Sequence, residues 1–138
     1  MSIVYALLSA LFASLTAIFA KIGIRGVDSD LATAVRTVII LLLAWSIAFS
    51  RGATSGLASL TRMNWIFLVL SAIATGLSWI FYFRAIQLGN VYQVAAIDKL
   101  SVALTLILAA VFFREPLGVK AVTGVSLIVA GTLVLVWK

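Results

Sequence analysis

Three charged residues, Arg36, Asp98 and Lys99, stand inside long apolar runs. A charge at the centre of a membrane helix costs roughly 2.5–3.5 kcal/mol on insertion scales, so such residues face a protein interior or a water-filled path. Asp98 opens a stripe with Ser101 and Thr105, whose three- and four-residue steps share one helix face. Ser71, Thr75, Ser78 and Tyr82 form a matching stripe in the preceding run, and Trp79 and Phe83, one turn apart, supply an aromatic wall. Arg36 shares its face with Thr33 and lies near Thr37; its expected depth matches that of Asp98, so the two are placed to pair. Together these residues would line a polar cleft suited to a small solute. Catalysis fits poorly. Histidine and cysteine are absent and Asp98 is the one acid expected to be buried, which leaves no nucleophile–base pair and no paired carboxylates. No metal or cofactor is expected.

Plainer roles compete for the same residues. Serine and threonine also let membrane helices pack closely or hydrogen-bond across to a neighbour. Lys99 lies about 100° around the helix from Asp98 and leans toward the helix N-terminus, so snorkelling to the surface is its expected fate. Trp65, Tyr92 and Trp137 fall near span ends, as interfacial anchors do.

The elements that must position these groups follow from composition. Of 138 residues, 64% are hydrophobic and 10% charged, with a mean hydropathy of +1.26, too little polar surface to cover a water-soluble globule. The expected fold is all-α and polytopic, with five transmembrane helices over about 3–24, 31–49, 65–86, 91–113 and 117–137 in one domain covering 1–138. Ser29 or Asp30 is expected to cap the second helix, 50–64 to be the longest loop, and Pro116 to sit in the first turn of the fifth helix. The N-terminal run lacks a basic n-region and reads as a retained span. The net charge of +6 comes from singly scattered basic residues, a pattern that argues against nucleic acid.

An odd number of spans puts the termini on opposite sides. The N-terminal side then holds Arg51, Arg62, Arg114 and Lys120; the other holds Lys21, Arg25, Arg84 and Lys138. Orientation follows the Lys and Arg excess in short cytoplasmic loops, so this tie predicts insertion in both directions. Lys21 and Arg84 are expected at the mouth of the cleft. Gly124 and Gly131, one heptad apart in the last span, provide a small-residue face for helix association.

Four segments, Ala17-Ile18-Phe19-Ala20-Lys21-Ile22-Gly23, Thr33-Ala34-Val35-Arg36, Asp98-Lys99-Leu100-Ser101 and Phe112-Phe113-Arg114-Glu115-Pro116-Leu117, together resemble a single EamA domain, the repeat unit of the drug/metabolite transporter superfamily. The resemblance covers the whole chain and is nearest to the short five-span bacterial and archaeal members. It implies a transporter in the plasma (inner) membrane of a prokaryote. Larger relatives carry two such domains in opposite orientations around a central cavity, which implies that this chain is one inverted-repeat unit of a ten-helix machine, completed by an antiparallel copy of itself. Gly124-Val125-Ser126-Leu127-Ile128-Val129-Ala130-Gly131 also resembles the dimerising helix of the small multidrug resistance proteins. Those proteins use a glutamate in the first span, and Ile3 to Ala20 contains no acid. A cleft lined by Arg36, Lys99 and the basic mouth suits an anionic or amino-acid-like solute, moved by alternating access with or without protons. Lipophilic-cation efflux and a non-transporting role in a membrane assembly are the competing readings.

Overall fold

The structure, a computed structural model, describes residues 1–137. Its elements are α1 (Ser2–Gly23), α2 (Ser29–Ser50), a 3-10 helix (Ala53–Ser59), α3 (Arg62–Leu88), α4 (Val91–Asp98), α5 (Leu100–Phe113) and α6 (Val119–Val136). No strand occurs among the described residues. Counting Val91–Phe113 as one run, five helical segments are long and apolar enough to cross a bilayer. Large apolar side chains are exposed along all of them, including Leu42, Phe67, Phe81, Ile107 and Leu127. Hydrocarbon is the solvent such a surface requires, and the chain is a multi-pass membrane protein.

Three expectations need correction. Asp28, not Ser29 or Asp30, caps α2: its extended backbone lets the carboxylate accept from the N–H groups of Asp30 and Leu31, each at 3.0 Å. Pro116 lies outside the last helix, in a short turn where Gly118 N–H donates to its carbonyl, and α6 begins three residues later. The fourth span is interrupted. At Lys99 the bonding tightens to three-residue steps, Lys99 N–H to Ala96 O at 3.1 Å and Val102 N–H to Lys99 O at 3.0 Å, so α4 ends at Asp98 and α5 starts at Leu100. The expected loop 50–64 also contains the 3-10 helix, entered through Gly52 at φ +65°, a conformation that favours glycine.

The chain forms two compact units. One comprises Phe19–Gln87, and the other joins Met1–Ile18 to the chain from Leu88 onward. In the first, Ala20, Ile24, Ser29, Thr33, Phe83 and Ile86 are buried. A reciprocal clasp ties the end of α1 to the end of α3. Lys21 Nζ donates to the carbonyls of Ile86 (2.6 Å) and Gln87 (3.4 Å), and Gln87 Nε2 donates to the carbonyls of Val27 (2.8 Å) and Ile24 (3.3 Å). Both side chains satisfy carbonyls that a helix end leaves open, and the lysine adds a cation at the negative end of the α3 dipole. The 3-10 helix packs against α2 in the same unit.

In the second unit α6 packs on α4 and α5. Its inward face runs through Ala121, Val125, Val129, Thr132 and Val136, each buried or half-buried, at helical spacing. Thr132 Oγ1 donates to Ala96 O at 3.1 Å, and Gln93 Nε2 donates to Leu135 O at 3.4 Å. Arg114 closes α5 in the left-handed region, at φ 54°.

Gln87→Leu and Lys21→Met each leave helix-end carbonyls without a donor. Each is expected to lower stability by about 1–2 kcal/mol, read as a fall in the thermal midpoint of the purified protein, with the double variant less than additive because the two residues belong to one clasp.

Candidate functional site

Within the Phe19–Gln87 unit, Arg36 lies seven residues into α2, about 10 Å along its axis from Ser29. Its guanidinium carbon sits 4.2 Å from the centre of the Phe83 ring and 5.6 Å from that of Trp79. The two rings are one turn apart on α3, as their spacing requires, and Tyr82 meets Phe83 edge to face at 5.7 Å. A cation over an aromatic face gains about 0.5–2 kcal/mol, more as water is excluded. The stacking leaves hydrogen bonding incomplete: Arg36 Nη1 is buried with no acceptor. A guanidinium is always charged and carries five donors, so one nitrogen of this group keeps its donors unused.

The hydroxyls near Arg36 are turned to their own helices. Thr37 Oγ1 donates to Thr33 O, and Thr33 Oγ1 to Ser29 O, both at 2.8 Å; on α3, Thr75 Oγ1 donates to Ser71 O at 2.9 Å. Each therefore presents only its oxygen lone pairs to any neighbour. Ser78 and Arg84 are exposed on α3. Lys21, expected at the cleft mouth, is engaged in the helix-end clasp.

In the second unit the two mid-span charges sit at the break between α4 and α5. Lys99 Nζ is 3.4 Å from Asp98 Oδ2, with the lysine side chain 57% and the aspartate 40% exposed within the single chain. Lys99 thus bonds its neighbour rather than only snorkelling away. Arg36 and Asp98 each have partners within their own unit, aromatic rings for one and a lysine for the other. Thr132 holds the break from α6 through the Ala96 carbonyl, which also accepts Lys99 N–H.

Ser101 and Thr105 line a cavity of about 310 Å³ with Val102, Leu106, Glu115 and Val125. Ser101 and Thr105 share this cavity, Asp98 is not among its lining residues, and the lining includes a carboxylate that periodicity did not reach. Glu115 lies beyond the end of α5, in irregular chain, where helical spacing no longer predicts which face a residue joins. The signal available was that it is one of only four acidic residues in the chain. Among the described residues no group of three acidic side chains converges as metal ligands would.

On α6, Gly124, Leu127 and Gly131 lie together off the packed face, and all three are exposed. A Cβ added to Gly124 or Gly131 would meet nothing within 4 Å. These small residues therefore do not serve close packing within their own unit.

Residues 1–137 match the EamA-like transporter family. A protein of Sinorhizobium sp., described as an uncharacterized transporter in the cobO 3′ region, is 44% identical over 131 residues, covering 95% of this chain and 93% of its own length. No solved structure matches the chain.

Thr132→Val keeps the shape and removes the hydroxyl that braces the break. It is expected to cost about 0.6 kcal/mol, the average for hydrogen bonds between membrane helices, and at most about 1.7 kcal/mol. The amides from Lys99 to Val102 should exchange deuterium faster than in the wild type, while those of α2 remain unchanged.

Proposed function

The chain belongs to the EamA-like transporter family, and from that premise we propose that it carries small metabolites bearing a carboxylate or similar anionic group, with amino-acid-like solutes as the favoured class. The observation that carries this reading is Arg36, bracketed by Phe83 and Trp79 with a buried Nη1 that has no acceptor. A carboxylate bound to the guanidinium would complete the missing hydrogen bond, and in a low-dielectric site such charge-assisted bonds are strong. Aromatic stacking fixes the guanidinium plane beforehand and lowers the entropy cost of binding. A lipophilic cation would meet Arg36 as a like charge, and the first span offers no acid to receive it.

The working unit is an antiparallel homodimer that exposes the site alternately to each side. Two observations support the pairing. The Gly124, Leu127 and Gly131 face of α6 is open, with room for a second helix to approach closely. The balance of basic residues between the two sides removes the usual bias toward one orientation. In such a pair, exchanging the conformations of the two subunits converts one facing state into the other. The break at Asp98–Lys99 gives the fourth span a joint at which two helix segments can tilt independently.

Solute uptake into liposomes holding the purified protein tests the substrate class. Amino acids and small organic anions are expected to enter, and tetraphenylphosphonium is not. Arg36→Gln should cut flux by at least about tenfold, the loss of one charge-assisted bond, while Arg36→Lys keeps part of it. Flux confined to the cation would replace this reading with multidrug efflux; no flux of any class from folded protein would leave a non-transporting assembly subunit. Gly124→Leu combined with Gly131→Leu is expected to turn the dimer into a monomer by light scattering in detergent and to abolish uptake. A double variant that stays dimeric would remove α6 from the interface.

A further inference from the structure

A second cavity, of about 410 Å³, is lined by no charged residue and lies further along α2 than Arg36. Leu41, Ala44, Trp45 and Ala48 of α2 form one wall; Leu57 of the 3-10 helix and Leu60 after it form the other. The α2 wall spans the eight residues from Leu41 to Ala48, about 10 Å of helix. It starts deep in the span and ends near Ser50, where α2 leaves the apolar run, so the groove runs from the hydrocarbon toward the interface. That is the direction an acyl chain takes.

The interfacial end is basic. Arg51 directly follows α2, Arg62 opens α3, and both are exposed. The sequence has no acidic residue anywhere from Leu31 to Ile97, so no carboxylate stands within twenty positions of either arginine in the chain. Guanidinium groups at that level are matched to phosphate, which they bind through paired N–H donors. A zwitterionic headgroup would bring its own cation toward them. An anionic solute has no use for an almost wholly apolar groove, and a second copy of the chain would require no phosphate.

We propose that the groove between α2 and the 3-10 helix seats an acyl chain of an anionic phospholipid whose phosphate is held by Arg51 and Arg62. The site fixes the 3-10 helix against α2 and ties this end of the protein to the charged surface of the membrane. It is independent of the transport reading and stands or falls separately.

Native mass spectrometry of the full-length protein, released from detergent with equal amounts of phosphatidylglycerol and phosphatidylcholine of identical acyl chains, tests it. Wild type should retain phosphatidylglycerol over phosphatidylcholine by about tenfold, the scale expected of two interfacial arginines partly screened by solvent. Arg51→Gln with Arg62→Gln, both exposed positions, should erase the preference while lipid still binds. Ala44→Phe fills the groove and should lower retention of both lipids; Leu57→Ser, on the opposite wall, should do the same and serves if Ala44→Phe does not fold. Equal retention of the two lipids by wild type overturns the proposal, as does an arginine double variant that keeps the preference. Unchanged phosphatidylglycerol retention in Ala44→Phe, together with a lower oligomeric state, would assign the groove to a second copy of the chain and overturn the lipid site.

Discussion

Hydrocarbon offers no hydrogen bonds, so every polar group inside the bilayer must find its partner within the protein. The clasp between Lys21 and Gln87 satisfies helix-end carbonyls near the membrane boundary. Threonines in α2 and α3 return their protons to carbonyls four residues earlier. Thr132 supports the interrupted fourth span from the neighbouring helix. Against this pattern Arg36 is the exception, because its Nη1 is buried and still lacks an acceptor. A group that stays charged and keeps a buried donor without an acceptor carries a desolvation cost that the other polar groups avoid.

The interruption at Lys99 obeys the same constraint differently. Breaking a membrane helix frees backbone groups, and here the break is limited to a tightened turn whose bonds run three residues instead of four. Placing an acid and a base side by side at that turn lets each offset part of the other's desolvation. Below it, Ser101 and Thr105 lead into a cavity ending at Glu115, so the polar face continues past the end of α5. A rigid unbroken helix could carry the same stripe, but it would lack a joint beside the charges.

Most of the apolar surface of the chain faces outward, and the chemistry of that surface is uneven. The small-residue face of α6 leaves open space beside Gly124 and Gly131. The groove beside Trp45 follows α2 and is lined almost wholly by apolar side chains, and Arg51 and Arg62 lie close to its walls in sequence. Helix association in lipid depends on close packing, because lipid tails solvate leucine as well as another leucine does.

The sequence by itself determined the environment and the elements: sustained apolar runs demand a bilayer, and their breaks mark five spans to within a few residues. It also determined which residues were worth watching, since a charge inside such a run stands out whatever the tertiary arrangement. The stacking of Arg36 on Phe83 and Trp79 was only half legible, because spacing aligns the two rings on α3 but says nothing of which α2 residue meets them. Helix ends were the least legible part. The cap at Asp28, the turn at Pro116 and the clasp through Gln87 depend on where the chain stops being regular, and periodicity carries no information there. Nor did it reveal that Lys21 serves a carbonyl instead of a cleft, or that Glu115 joins the Ser101 and Thr105 face. Only the tertiary structure decided these, because a hydrogen bond or a cavity needs a partner distant in sequence, and local pattern specifies a residue's own helix face but not what comes to rest against it.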